Sequence, residues 1–290
     1  MDSVEFRVWC DGRVRLLDGA TGSNLRAAGM PNGVCAEQWI LKDPEPLQNL
    51  QEAYIRAGSE IVLAPTFGAN RVLLGNYGLA EHVQDYSRRL VQLSRETAAG
   101  RALVAADLTT TGQPVLPEDT AAYQKLLDIY TEQAEAVLEA GADLIVVETM
   151  MGLTECMAAV EAVRALSDRA LICTMSVQAD GKCYFDGSVF DAAEVLPELG
   201  ADAIGVNCSS GPDQLESVVR GVRHACGVPV VAKPNAGLPE MQDDGTAIYS
   251  MQPAAFAAAM TALVSCGAGL VGGCCGTTPE HIRALRAAVR

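Results

Sequence analysis

Cys274 and Cys275 are adjacent in the run Gly272-Gly273-Cys274-Cys275-Gly276-Thr277-Thr278-Pro279. Vicinal thiols between glycines serve packing poorly, whereas two thiolates side by side suit a soft metal, zinc above all. A third sulfur is available in Asn207-Cys208-Ser209. Three cysteines leave one position of a tetrahedral metal open, and an open position separates a catalytic zinc from a structural one. Zinc with three thiolates can accept a substrate thiol and hold it ionised near neutral pH, where a free alkyl thiol is mostly protonated. The thiolate is the nucleophile, so the chemistry would be activation of sulfur for attack. The competing reading is three core thiols, or a disulfide between residues 274 and 275.

A second set of candidates closes apolar runs. Asp18 opens Asp18-Gly19-Ala20-Thr21-Gly22, Glu148 precedes Thr149, and Lys233 leads into Pro234-Asn235-Ala236-Gly237. Asp18 and Glu148 can pair with the ammonium group of a ligand. The amides of Ala20 and Thr21, set between glycines, can hold a carboxylate. Asp-Gly is also a common turn, and Glu148 could instead form a buried ion pair with Lys233. Asn207 and Asn235 are read as orienting ligands or closing loops, with Thr66 and Asp107 as secondary candidates. The three histidines, His82, His224 and His281, fall in helical stretches and suit surface or capping roles.

These residues need a frame. Apolar runs at 13–18, 60–65, 102–107, 143–148, 171–177, 203–208, 228–233 and 269–274 are mostly continuous, as in parallel strands buried on both faces. Between and after them, residues 45–57, 80–99, 118–140, 153–166, 189–199, 212–225, 253–266 and 279–289 show helical apolar spacing. Pro212, Pro253 and Pro279 suit first helical turns, and Gly58, Gly141, Gly200 and Gly267 suit helix ends. Eight alternations in 290 residues predict an α/β fold, a (β/α)8 TIM barrel, as a single domain over 1–290. Barrel chemistry collects at the C-terminal strand ends, where every candidate above falls. Cys208 on the sixth strand and the pair on the eighth flank the seventh. A regular strand would point Cys274 and Cys275 to opposite faces, so the flanking glycines must turn the chain there.

Composition narrows the partners. A net charge of −15 argues against nucleic acid and against an anionic membrane surface. Residues 253–275 are nearly all small and apolar, but Pro253 and four glycines between 267 and 273 favour a buried helix–strand unit over a membrane span. The N-terminus shows no secretory signal, so a cytoplasmic location with reduced thiols is expected.

With Asp18-Gly19-Ala20-Thr21-Gly22, Pro65-Thr66-Phe67, Glu148-Thr149, Gly205-Val206-Asn207-Cys208-Ser209, Pro234-Asn235-Ala236-Gly237 and residues 272–282 in place, the chain resembles the homocysteine S-methyltransferase family. The likeness is to the homocysteine-binding module of its cobalamin-dependent methionine synthase branch. It runs from about Leu16 to the end. The resemblance implies a zinc barrel, one Zn2+ per chain on Cys208, Cys274 and Cys275. It would methylate homocysteine to methionine, with Asp18 and Glu148 binding the amino acid.

The expected mechanism is in-line attack of a homocysteine thiolate on the donor methyl group. No histidine follows an aspartate by two residues, so the sequence lacks the Asp-x-His-x-x-Gly corrinoid loop. The expected donor is methylcobalamin on a separate corrinoid protein, with betaine or S-methylmethionine as the alternatives in the family. Outside it stand a metal-dependent barrel aldolase or isomerase using Lys233, Asp107 and Glu148, and a non-catalytic zinc scaffold.

Overall fold

A computed structural model describes residues 1–242 and 247–289. Its strands are β1 (Arg15–Leu16), β2 (Ile61–Leu63), β3 (Leu103–Thr109), β4 (Leu144–Met150), β5 (Leu171–Met175), β6 (Ala203–Asn207), β7 (Val230–Lys233), β8 (Pro239–Met241), β9 (Ala247–Tyr249) and β10 (Ala268–Val271). Eight of them form one parallel sheet in the order β1-β10-β7-β6-β5-β4-β3-β2. The outer two, β1 and β2, meet through Glu60 N donating to Leu16 O at 2.7 Å and Leu63 N donating to the Asp18 carboxylate at 2.8 Å. The sheet thereby closes, nearly completely, into a (β/α)8 barrel. Among the described residues, β8 and β9 form a separate antiparallel hairpin between the seventh and eighth barrel strands.

Period-two alternation sorts the strand residues into two layers. Val62, Val104, Ile145, Cys173, Ile204 and Val230 pack outward against the helices. Ile61, Leu63, Ala105, Leu144, Val146, Ile172, Ala203, Val231 and Leu270 fill the barrel interior. Counting on by twos from these interior positions reaches Asp107, Glu148, Thr174, Asn207 and Lys233. The apolar filling therefore gives way to polar side chains at the C-terminal end of the same inward columns. Register completes the placement, setting Asn207 beside Lys233 and Thr109 beside Glu148.

Helices close where glycine permits. The helix Glu45–Ala57 stops at Gly58 with φ +115°, in the left-handed region that a side chain disfavours. The same glycine device ends the helices before β4 and β6, at Gly141 and Gly200. Pro253 and Pro279 open helices as expected, whereas Pro212 opens a 3₁₀ turn and the helix proper is Glu216–Ala225.

Two expectations change. The eighth barrel strand ends at Val271, so Cys274 and Cys275 lie in the loop beyond it rather than on the strand, which removes the conflict over opposite faces. The N-terminus also forms a helix, Ser3–Cys10, capped by Asp2 and Glu5 in a reciprocal pair. Its Phe6 and Cys10 join the interior cluster and plug the N-terminal end of the barrel. Fully burying Phe6 is worth about 2–3 kcal/mol.

Candidate metal centre

The loop after β10 is laced to its neighbours through the backbone. Gly272 N donates to Ala232 O, Gly273 N to Asp18 O, Cys274 N to Pro234 O, and the Cys275 carbonyl accepts from Ala236 N, all within 2.8–3.1 Å. This approach leaves no room for side chains. A Cβ on Gly272 would sit 2.7 Å from Asp18 O, and one on Gly273 would strike Thr277. Thr277, fully buried, donates to Cys274 O at 2.7 Å and accepts from Ala20 N at 3.0 Å.

The third sulfur comes from the end of β6. Cys208 has φ +49°, a left-handed conformation costing on the order of 1–3 kcal/mol in a non-glycine residue. Thr149, after Glu148 on β4, is left-handed too, at φ +61°. The Sγ atoms of Cys208, Cys274 and Cys275 all lie within 4.8 Å of one another, with Cys208 and Cys275 3.5 Å apart. All three residues are half-buried, and each cysteine is a free thiol. Tyr249, carried by β9, lays its ring over Gly276, and its hydroxyl favours ionisation of Cys275.

Crowding makes the thiols titrate as a set. Hydrogen bonds from Cys208 and Cys274 hold Cys275 down to about 3. Contacts with Cys208 and Cys275, and then burial, push Cys274 well up. The contact of Cys208 with Cys274 favours its ionisation, yet its contact with Cys275 and its burial prevail and raise it to about 12. At neutral pH three sulfurs thus share one negative charge, and only a cation would let the others ionise. Three convergent, partly accessible sulfurs fit a soft divalent metal such as zinc.

Beside the sulfurs lies a cluster of buried carboxylates. Lys233, 2% exposed, donates to Glu148 at 2.8 Å and stands 4.0 Å from Asp18 Oδ1. Burial works against its charge, but Glu148 and then Asp18 hold it above the usual lysine range. Burial raises Asp18 to about 6 despite Lys233 and the Leu63 amide. Asp107 is raised well above its ordinary value by burial and then by Glu148. Asp18 Oδ1, Asp107 Oδ1 and Asn235 Oδ1 are buried with no hydrogen-bond partner among the described residues. One lysine facing three carboxylates leaves a deficit of positive charge, and unpartnered buried acceptors call for a donor from outside the chain.

The remaining candidates are placed as follows. The Ala20 amide is engaged by Thr277, while its carbonyl accepts from Tyr54 and Asn24. Thr21 precedes the short helix Gly22–Ala27 and is half-exposed. Thr66 Oγ1 donates to Asp107 O and accepts from Asp107 N, so it ties β2's end to β3. Asn207 is fully buried, bridging β4, β5 and β6. His281 caps the last helix, accepting from Thr278 N through Nδ1, and its Nε2 meets Met251 O at 2.9 Å. Sequence reasoning missed Thr149, Thr174 and Tyr249. The alternation of β5 was a signal for Thr174; nothing local marked Tyr249.

A family model described as homocysteine S-methyltransferase matches residues 15–289. The chain belongs to the homocysteine S-methyltransferase family. It is 33% identical to the methionine synthases of Mycobacterium leprae and Mycobacterium tuberculosis over 96% of its own length. It spans about a quarter of those relatives, 24% and 25% respectively. Among solved structures, the homocysteine methyltransferase MmuM from Escherichia coli superposes in an oxidised form with TM-score 0.81 and in a metallated form with 0.78. Both are 22% identical, with 97–99% of this chain and 98–99% of that one covered. At that identity the likeness establishes the barrel, and this family member's chemistry must be argued from its own residues. No helix among the described residues is long and apolar enough to cross a membrane.

Proposed function

We propose that this barrel is a zinc-dependent S-methyltransferase that converts homocysteine to methionine, using a methyl group carried by methylcobalamin. The observation that carries the reading is the pairing of two features at one mouth: three sulfurs within 4.8 Å, and buried carboxylates with oxygens that have no hydrogen-bond partner. Zinc held there by Cys208, Cys274 and Cys275 would stabilise the substrate sulfur as a thiolate. The chain's own residues do the rest.

Asp18 and Asp107 offer the substrate ammonium two acceptor atoms that have no hydrogen-bond partner, although Lys233 stands 4.0 Å from the first. Glu148 contributes charge while its carboxylate is held by Lys233. Asn235 offers a further acceptor, and Thr21 is the amide of the Asp-Gly-Ala-Thr-Gly turn left to approach the substrate carboxylate. An amino acid fixed at that end presents its sulfur in one orientation, which is where an enforced geometry gains its rate.

The donor is argued from two further features. The 33% identity to methionine synthases supports the cobalamin branch. Exposed Phe67, Tyr184, Phe185, Leu238 and Met241 lie on the loops that leave β2, β5 and β7, an apolar rim suited to a bulky carrier. The second reading is a small methyl donor, betaine or S-methylmethionine. The aldolase reading loses support because Lys233 is clamped as a cation by Glu148. A location in the cytoplasm accords with ten free thiols.

The test is methionine formation from homocysteine by zinc-loaded protein, with methylcobalamin, a methylated corrinoid protein, betaine and S-methylmethionine offered separately. Turnover with either cobalamin form is expected. Turnover with betaine or S-methylmethionine alone would replace the donor, and methylation of a different thiol would replace the substrate.

A further inference from the structure

Asn207 has a side chain with no spare valence. Its Oδ1 accepts from Thr149 N at 2.8 Å and from Thr174 Oγ1 at 2.9 Å. A backbone N–H can only donate, so the Thr149 amide fixes which way round the Asn207 amide lies. The nitrogen must then face the other way. There Nδ2 donates to Thr149 Oγ1 at 2.7 Å and stands 3.9 Å from Cys274 Sγ. Two acceptor sites and two hydrogens are all assigned, and the residue is fully buried. A substrate group could reach Asn207 only by displacing one of these partners.

The partners are not arbitrary. Thr149 and Cys208 are two of three non-glycine residues with positive φ among the described residues, and Asn207 grips the first while directly preceding the second. On the far side of Cys208, Ser209 Oγ donates to Asn207 O at 3.0 Å and accepts from Val177 N at 2.9 Å. The strained turn carrying Cys208 is thus fastened on both sides, to β4 and β5 through Asn207 and to the segment after β5 through Ser209. Strain of this kind persists only where surrounding structure holds it.

We propose that Asn207 is a positioning residue for the sulfur cluster, fastening the left-handed turns at Thr149 and Cys208 and aiming an N–H at the Cys274 sulfur, and that it makes no contact with the substrate. The proposal rests on the metal-centre reading above and deepens it. An N–H directed at a metal-bound thiolate withdraws charge from that sulfur, and outer partners of this kind set ligand orientation and metal affinity.

Asn207→Asp separates the roles. An aspartate keeps acceptors for Thr149 N, Thr174 Oγ1 and Thr149 Oγ1, but it replaces the N–H facing Cys274 with a negative oxygen. Zinc affinity, measured without homocysteine by chelator competition, is expected to fall about 10–100-fold. The sulfur-to-cobalt charge-transfer band of the cobalt(II)-loaded variant is expected to move, and the metal-free variant is expected to melt somewhat lower, because a carboxylate replaces a neutral amide at a fully buried position. Asn207→Ala should lose the same affinity and also stability; if it fails to fold, the aspartate variant decides. Wild-type zinc affinity and an unchanged cobalt spectrum in the Asp variant, with only homocysteine binding weakened, would overturn the proposal and make Asn207 a substrate contact. If the unaltered protein binds neither zinc nor cobalt, the metal-centre reading fails, and this inference with it.

Discussion

The two ends of the barrel bury carboxylates in opposite ways. At the N-terminal end, Asp202 is fully buried and fully satisfied: Arg164, Arg7, Ser3 Oγ and Leu171 N all donate to it, at 2.8–3.4 Å. At the C-terminal mouth, Asp18 and Asp107 are also buried but each keeps an oxygen with no hydrogen-bond partner; Lys233 donates to Glu148 and stands 4.0 Å from Asp18 Oδ1. Two clefts of about 530 and 630 Å³ open at the N-terminal end, yet none of the unpartnered buried atoms lines them. These two clefts hold none of the unmet polar chemistry, and the carboxylate oxygens without hydrogen-bond partners at the mouth are the better guide. A complete hydrogen-bond shell marks a carboxylate that holds the fold, and an incomplete one marks a carboxylate waiting for a ligand.

The sharpest break between the ends should come from the sulfurs. Cys208→Ala removes one of the three proposed metal ligands at the half-buried mouth and leaves the plug untouched. Methyl transfer is expected to fall by at least about 1000-fold, since metal stabilisation of developing charge is worth several kcal/mol. The melting midpoint of the metal-free protein should stay within a few degrees of wild type. Zinc stoichiometry by elemental analysis checks the cause: one zinc retained with unchanged affinity in the variant would remove Cys208 from the site.

Matched substitutions at the two ends should then move stability in opposite directions. Asp202→Asn breaks a buried charge pair and is expected to cost about 3–5 kcal/mol by denaturant unfolding, with the homocysteine KM of the folded fraction unchanged. Asp18→Asn works the other way. Its carboxyl is raised to about 6 in the folded protein, so the folded state binds the proton more tightly than the unfolded chain. Asp18 therefore favours folding fully below about pH 4, and that contribution is lost as pH rises through about 6. Asparagine abolishes this loss, so the variant should gain up to about 3 kcal/mol at pH 7 relative to wild type. It should also bind homocysteine about 10–100-fold more weakly, having lost a charged partner for the ammonium. A variant that is less stable at pH 7 and binds homocysteine normally would make Asp18 a structural residue like Asp202.

The contrast between the ends was only half legible in the sequence. Apolar runs and the repeated glycine stops at 58, 141 and 200 sufficed for the barrel, because they depend on local backbone chemistry. The sulfur set was legible because Gly-Gly-Cys-Cys-Gly is a rare composition with one economical use. What sequence left open was lateral: whether Glu148 would meet Lys233, 85 residues away, depends on register across β4 to β7. The same holds for the Ala20 amide, taken by Thr277 from the far end of the chain, 257 residues on. The plug was overlooked for a different reason. Its capping pair, Asp2 and Glu5, was visible, but eight residues carry too few apolar positions to show a period.

The smallest expected effect probes how far the mouth extends beyond the barrel. Tyr249 belongs to the hairpin, outside the eight-stranded sheet, yet its hydroxyl favours ionisation of Cys275 and its ring packs where a Gly276 side chain would stand. Removing only the hydroxyl, as Tyr249→Phe, keeps the packing over Gly276 and deletes one donor to a sulfur. The loss should be about tenfold in zinc affinity, the low end for an outer partner of a metal ligand. Two protons must leave Cys208 and Cys274 when a metal binds, so wild-type affinity should rise about 100-fold per pH unit near neutrality. The Phe variant should keep that slope and sit below the wild-type line at every pH, because the hydroxyl stabilises the one sulfur already ionised. A change of slope would mean that Tyr249 decides which sulfurs carry protons, and the hairpin would then be part of the metal site.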